Sequence, residues 1–148
     1  MTSRRHSKVL EQIVEVRLVQ RSAVEDRLGK AEQTLKLRRA EQAEAATRLA
    51  ETESRWAQAM AGSSIPLHTA ASLGAAVLED EDKLMLAQAA ARRAKTERHK
   101  VGDLWRTSYS NEQAAISLAK AAVRREMRHD EEAALHEVED RVARRGSS

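Results

Sequence analysis

The 148-residue chain has no cysteine and no phenylalanine, and it contains only one proline, one tyrosine and two tryptophans. Without cysteine there is neither a disulfide scaffold nor a thiolate metal site. With three aromatic side chains in all, Trp56, Trp105 and Tyr109, a thick globular core is not expected. The chain has about the length of one ordinary domain, which argues against a second independent core. No window approaches the roughly 18 uninterrupted apolar residues of a membrane span. The basic N-terminus is interrupted by Glu11, Glu15 and Arg17 and so lacks the apolar stretch of a signal peptide. A soluble cytoplasmic protein without direct membrane insertion is the expectation. An excess of one charge is missing too: 26 basic residues stand against 23 acidic ones, far from the one-sided balance of nucleic-acid binders.

What is abundant is Ala, Glu, Arg, Leu and Lys, the composition of long helices and coiled coils. From about residue 9 to 60 apolar residues recur three and four apart. Leu10, Val24, Ala31, Ala45 and Ala59 share one heptad position, and Val14, Leu28, Leu35, Leu49 and Trp56 the complementary one. The seam reads as broken at Arg17 and Arg21, where Ile13, Val16 and Ala23 suggest a shifted register, and again at Arg38 and Gln42. A second segment repeats the pattern with Val77, Leu84, Ala91 and Trp105 on one position and Ala87, Ala94 and Val101 on the other. Tyr109, Ile116 and Val123 carry it on, and Met127, Ala134, Leu135, Val138 and Val142 follow. Gly102 alone interrupts it, at about 1 kcal/mol relative to Ala.

Between the segments lies "AMAGSSIPLH", with the only proline. Gly62 is suited to a left-handed helix end, Ser63 and Ser64 to capping, and Pro66 to a first helical turn. The stretch reads as a chain reversal. The acidic residues Glu79 to Asp82 would favour the macrodipole if the second helix begins close by, after Gly74 for instance. The expected fold is all-α, a long antiparallel two-helix coiled-coil hairpin with a longer C-terminal helix. Helix one covers about 5–61, the turn about 62–68 and helix two about 69–145.

With the reversal centred near Ser64, residue numbers adding to about 129 face each other. That sets Leu28 against Val101, Val24 against Trp105, Leu35 against Ala94 and Ile13 against Ile116. A later start of helix two moves this by a few positions. At about 1.5 Å per residue the arms would be roughly 80 Å and 105–115 Å long. Helix one ends opposite about Arg124, leaving the amphipathic end from Met127 to Val142 in need of a cover.

Sites for chemistry are scarce. Glu126 and His129 have the E-x-x-H spacing of a bundle metal centre, but such centres need two of these motifs and two further carboxylates, so a solvated face is the simpler reading. Glu132 and His136 suit a surface pair. There is no glycine-rich phosphate loop, nucleophile elbow or H-E-x-x-H, and no cofactor is implied. A non-enzyme is expected. The basic run from Arg92 to Lys100 reads as a solvated helix face with no base-stacking aromatic. Arg4, Arg5 and Lys8 should fold back near Arg124, Arg125 and Arg128, making the open end basic, with Glu51, Glu53 and the 79–82 run at the tip. Each tryptophan should fill the seam while keeping part of its ring accessible.

Unequal helical arms, a Gly/Ser turn near the middle, Arg55–Trp56 just before it, Leu104–Trp105–Arg106 about forty residues after it and a basic C-terminus together resemble the FliJ/YscO family. These are the central-stalk proteins of flagellar and virulence type III export machines. The resemblance covers almost the whole chain, although the family has no tight motif. It implies a stalk joining a hexameric export ATPase to the membrane export gate protein, at the cytoplasmic face of a bacterial secretion apparatus, with secretion chaperones as further partners. The ATPase-facing end would comprise Arg125, Met127, Arg128, Leu135, Val138, Arg141, Val142 and Arg144. The gate-facing tip would comprise Trp56, Met60, Ile65, Leu67 and Leu73. Fewer aromatics near the turn than in flagellar members favour a virulence or symbiosis system. Two other classes compete: a generic coiled-coil adaptor or secretion chaperone with one client, and a nucleic-acid-binding hairpin.

Overall fold

The computed structural model describes residues 2–62 and 64–146, with side chains from Arg5 onward. Two α-helices, α1 (Thr2–Ala61) and α2 (Leu67–Gly146), account for nearly all of them, and no strand is present among the described residues. The helices pack against each other as an all-α helical hairpin. Contacts divide the chain into two compact units. One comprises residues 1–25 and 104–148, and the other residues 26–103.

In the first unit, α1 turns Leu10, Val14, Arg17, Arg21 and Val24 inward, each at least partly buried. The facing side of α2 carries Trp105, Ser108, Glu112, Ala115, Ala119, Ala122 and Glu126. In the second unit the inward positions of α1 are Leu28, Ala31, Leu35, Arg38, Gln42, Ala45, Leu49, Thr52 and Ala59. Those of α2 include Val77, Asp80, Leu84, Ala87, Ala91, Ala94, Arg98 and Val101. Within each unit the steps are three and four, the heptad signature of helices packed side by side, save the seven from Thr52 to Ala59, between which Trp56 is exposed. Among the described residues the only buried hydrophobic ones are Ala91, Ala94, Val101 and Ala115. A helix pair has just one stripe to bury, so its core is a seam of small side chains under larger neighbours.

Two expectations about this seam are corrected. It does not shift at Arg17 and Arg21, nor break at Arg38 and Gln42: these residues occupy the seam. Ile13, Val16 and Ala23 are exposed. At Arg21 the reason is electrostatic. Arg21 Nε meets Glu112 Oε2 across the first unit, and Glu112 is only 6% exposed. A charge can hold a seam position when its partner enters the same seam. Ile13 accordingly does not face Ile116 from the core. In the second unit Thr52 donates to Asp80 Oδ2 at 2.6 Å and Arg98 reaches Glu32 at 3.2 Å. All these pairs lie further along α2 than a reversal at Ser64 implies, by up to about one turn.

The reversal is also corrected in detail. Gly62 is not left-handed, since no glycine has a positive φ. α1 instead ends in a tight turn in which the Gly62 amide donates to the Ala59 carbonyl at 3.3 Å. The start of α2 is fixed by the Pro66 carbonyl, which accepts from the Thr69 and Ala70 amides at 3.0 and 3.2 Å. Proline suits this place because it has no amide of its own to satisfy. The cap expected of Ser63 lies outside the described residues. Because α2 begins at Leu67 and runs through Gly74, the acidic residues 79–82 lie more than three turns inside it, too deep to act on its N-terminal dipole.

Candidate interaction surfaces

Packing of seam against seam decides which side chains remain outside. α2 continues past the last seam residue, Glu126, to Gly146, and every described residue from Met127 onward is exposed. Four apolar side chains stand out on this end: Met127 (58% exposed), Leu135 (63%), Val138 (57%) and Val142 (65%). Arg125 and Arg128 are exposed, and the Arg128 Nε donates back to the Arg124 carbonyl at 3.4 Å. Arg141 is tied to Glu137 at 2.5 Å. Arg144 is exposed and also engaged in an interaction. His136 turns to Glu139 at 3.5 Å, not to Glu132 as its spacing had suggested, and His129 lies 4.0 Å from Asp130. No group of three or more potential ligands gathers to hold a metal ion among the described residues. Arg5 and Lys8 are exposed in the same unit, while the Arg4 side chain lies outside the described residues.

In the second unit, Trp56, Met60 and Leu67 are exposed, Leu67 most of all. Ile65 and Leu73 are half-buried. The Trp56 indole nitrogen stands over Gly74, where a Cβ would lie 3.8 Å from it. The missing side chain at Gly74 therefore gives the ring a seat on α2, and Trp56 remains 40% exposed. Trp105, in the first unit, is half-buried instead and stacks on Tyr109 with centroids 5.4 Å apart. Its Nε1 is out of solvent and has no acceptor among the described residues.

Two surfaces were missed in the sequence. On α1, Val9, Ile13, Val16 and Val19 are all exposed, and the first three line a shallow groove with Gln12, Arg17 and Gln20. The spacing of Ile13 and Val16 is visible in the sequence but reads as a shifted register of the seam, and Val9 and Val19 carry no reading of their own. On α2, Leu78, Met85 and Leu86 are each more than 60% exposed beside Glu79, Glu81 and Asp82. Their seven- and eight-residue spacing, off the seam, was the available signal. Within the basic run at 92–100, Arg98 is drawn toward the seam by Glu32, and the other basic residues are exposed.

No helix among the described residues is long and apolar enough to cross a membrane. No protein-family model matches the chain, and neither curated proteins nor solved structures yield a match.

Proposed function

We propose that the protein is a non-enzymatic central stalk of a type III secretion export machine, coupling a hexameric export ATPase to the membrane export gate. The observation that carries this reading is the exposed apolar stripe Met127, Leu135, Val138 and Val142 on a helix that has already left its partner. A soluble helix end gains nothing from keeping such side chains aligned unless something covers them, and each burial would be worth about 1.5–3 kcal/mol. The end carrying this stripe would enter the ATPase ring, with Arg125, Arg128, Arg141 and Arg144 guiding it. The tip, with Trp56, Met60, Ile65, Leu67 and Leu73, would face the gate, and secretion chaperones would be further clients. The resemblance to the FliJ/YscO family supplies the identity of these partners.

The adaptor or chaperone reading draws on the exposed α1 groove of Val9, Ile13 and Val16, which offers a client a second apolar strip. Capture of the export ATPase from the host of the gene separates the two. The stalk requires capture by the wild-type chain and loss of it in the Leu135→Asp/Val138→Asp variant, with helical content and melting unchanged. Capture by the folded double variant would refute the assignment.

A further inference from the structure

The exposed stripe on the end of α2 does not continue the hairpin's own seam. Extending the seam positions Ala119, Ala122 and Glu126 by steps of three and four leads to His129, Ala133, His136, Asp140 and Ala143, where the only apolar side chains are alanines. Leu135, Val138 and Val142 lie roughly 120–180° around the helix from that line. A second seam thus begins on the far side of α2 as the first one runs out.

Its borders are acidic, and one further carboxylate, Glu131, stands within it between Met127 and Leu135. Asp130 and Glu137, seven residues apart, flank the stripe on one side, and Glu132 and Glu139, also seven apart, flank it on the other. From Asp130 to Asp140 there are six carboxylates and no lysine or arginine; the arginines stand before this stretch, at 124, 125 and 128, and after it, at 141, 144 and 145. The internal ties of the bordering acids are exposed pairs, Glu137 to Arg141 and Glu139 to His136, which a partner's cation can outcompete.

We infer that this face takes a basic amphipathic helix of another protein, one whose apolar stripe is bordered on both sides by lysine or arginine, approaching from the side of α2 opposite α1. Charge disfavours a second copy of this end in register as the occupant. Two copies in register, parallel or antiparallel about Leu135, would set the acidic middle against an acidic middle and arginines against arginines. The inference rests on the reading of this end as a docking end, and not on which protein docks there.

The absence of cysteine allows single labels on the full chain. An environment-sensitive fluorophore is placed through Ala134→Cys, beside the stripe, or through Ala133→Cys, on the extended seam line. The probe is a synthetic helical peptide with a leucine stripe bordered by lysines, and its counterpart has glutamates in their place. The lysine peptide should shift the label at position 134 saturably and that at 133 far less, with affinity falling about tenfold or more on raising salt from ~0.05 to ~0.5 M. The glutamate peptide should leave both unchanged. Replacing Asp130, Glu132, Glu137 and Glu139 by Lys should reverse the preference. The milder Glu132→Gln/Glu139→Gln variant should weaken lysine-peptide binding about threefold or more, and it serves if the fourfold change reduces helicity. Equal response to both peptides, equal response of the two labels, or indifference to the Gln variant would overturn the inference. Capture of the ATPase without lysine-peptide binding would sink the charge argument alone. Peptide binding without ATPase capture would sink the ring assignment alone.

Discussion

Arg21 and Glu112 are the residues whose role in this chain is least like their type. Glu112 is the one buried charged residue of the described chain, and Arg21 Nε, which touches it, is also out of solvent while its NH1 holds Glu25 at 2.8 Å. Burying such a pair costs desolvation that its attraction only roughly repays, but removing one partner strands the other. Glu112→Ala is therefore expected to destabilise by about 2–4 kcal/mol, whereas Arg21→Met/Glu112→Leu should lie within about 1 kcal/mol of wild type or above it. Urea denaturation followed by helical signal measures both. A single variant as stable as wild type would show that water reaches the pair. By contrast, Arg48–Glu44 and Lys83–Glu79 have side chains more than half exposed, and their loss should hardly register.

At the scale of the helix, the question is which of two interleaved apolar stripes on the start of α1 is the core. Val14 is half-buried in the first unit, and Val16, two residues on, is 55% exposed. Val14→Gln should cost about 1–2 kcal/mol from lost burial, and Val16→Gln no more than about 0.5 kcal/mol. The opposite order in the same denaturation assay would restore the shifted register. This pair also shows what could be read from the sequence. The all-α hairpin and the inward turn of Leu28, Leu35, Ala91, Ala94 and Val101 follow from apolar spacing, and the position of the reversal from the glycine, serines and proline between the two stripes. The continuity of the seam does not, because hydrophobicity marks Arg17, Arg21, Arg38 and Gln42 as breaks; only counting threes and fours through the polar residues keeps the register. The handedness at Gly62 was illegible for another reason. Glycine permits a left-handed turn without requiring one, and the chain here reverses through the Gly62–Ala59 bond and the Pro66 carbonyl. For the candidate site, the stripe from Met127 to Val142 was visible, whereas its place opposite the seam became visible only once Ala119, Ala122 and Glu126 were known to face inward.

For the molecule as a whole, the division of labour between packed and exposed chain can be tested with its own two tryptophans, Trp105 in the first unit and Trp56 in the second. All described residues after Glu126 are exposed, so they contribute little burial to the packed seam. Ending the chain after Glu126 should therefore leave the melting midpoint within about 2 °C of the full chain, since a shift of about 2–4 °C accompanies each kcal/mol in proteins of this size. It should at the same time abolish capture of the docking partner. Fluorescence of single-tryptophan versions, Trp56→Phe and Trp105→Phe, adds the location of any error. The removed segment belongs to the first unit, so if it packed on the rest of that unit, the transition reported by Trp105 would move down while that reported by Trp56 moved less. An unchanged midpoint at both reporters, together with lost capture, is the outcome that a segment kept for a partner requires. A fall of the Trp105 transition by more than about 5 °C would show that Leu135, Val138 and Val142 stabilise the free protein itself.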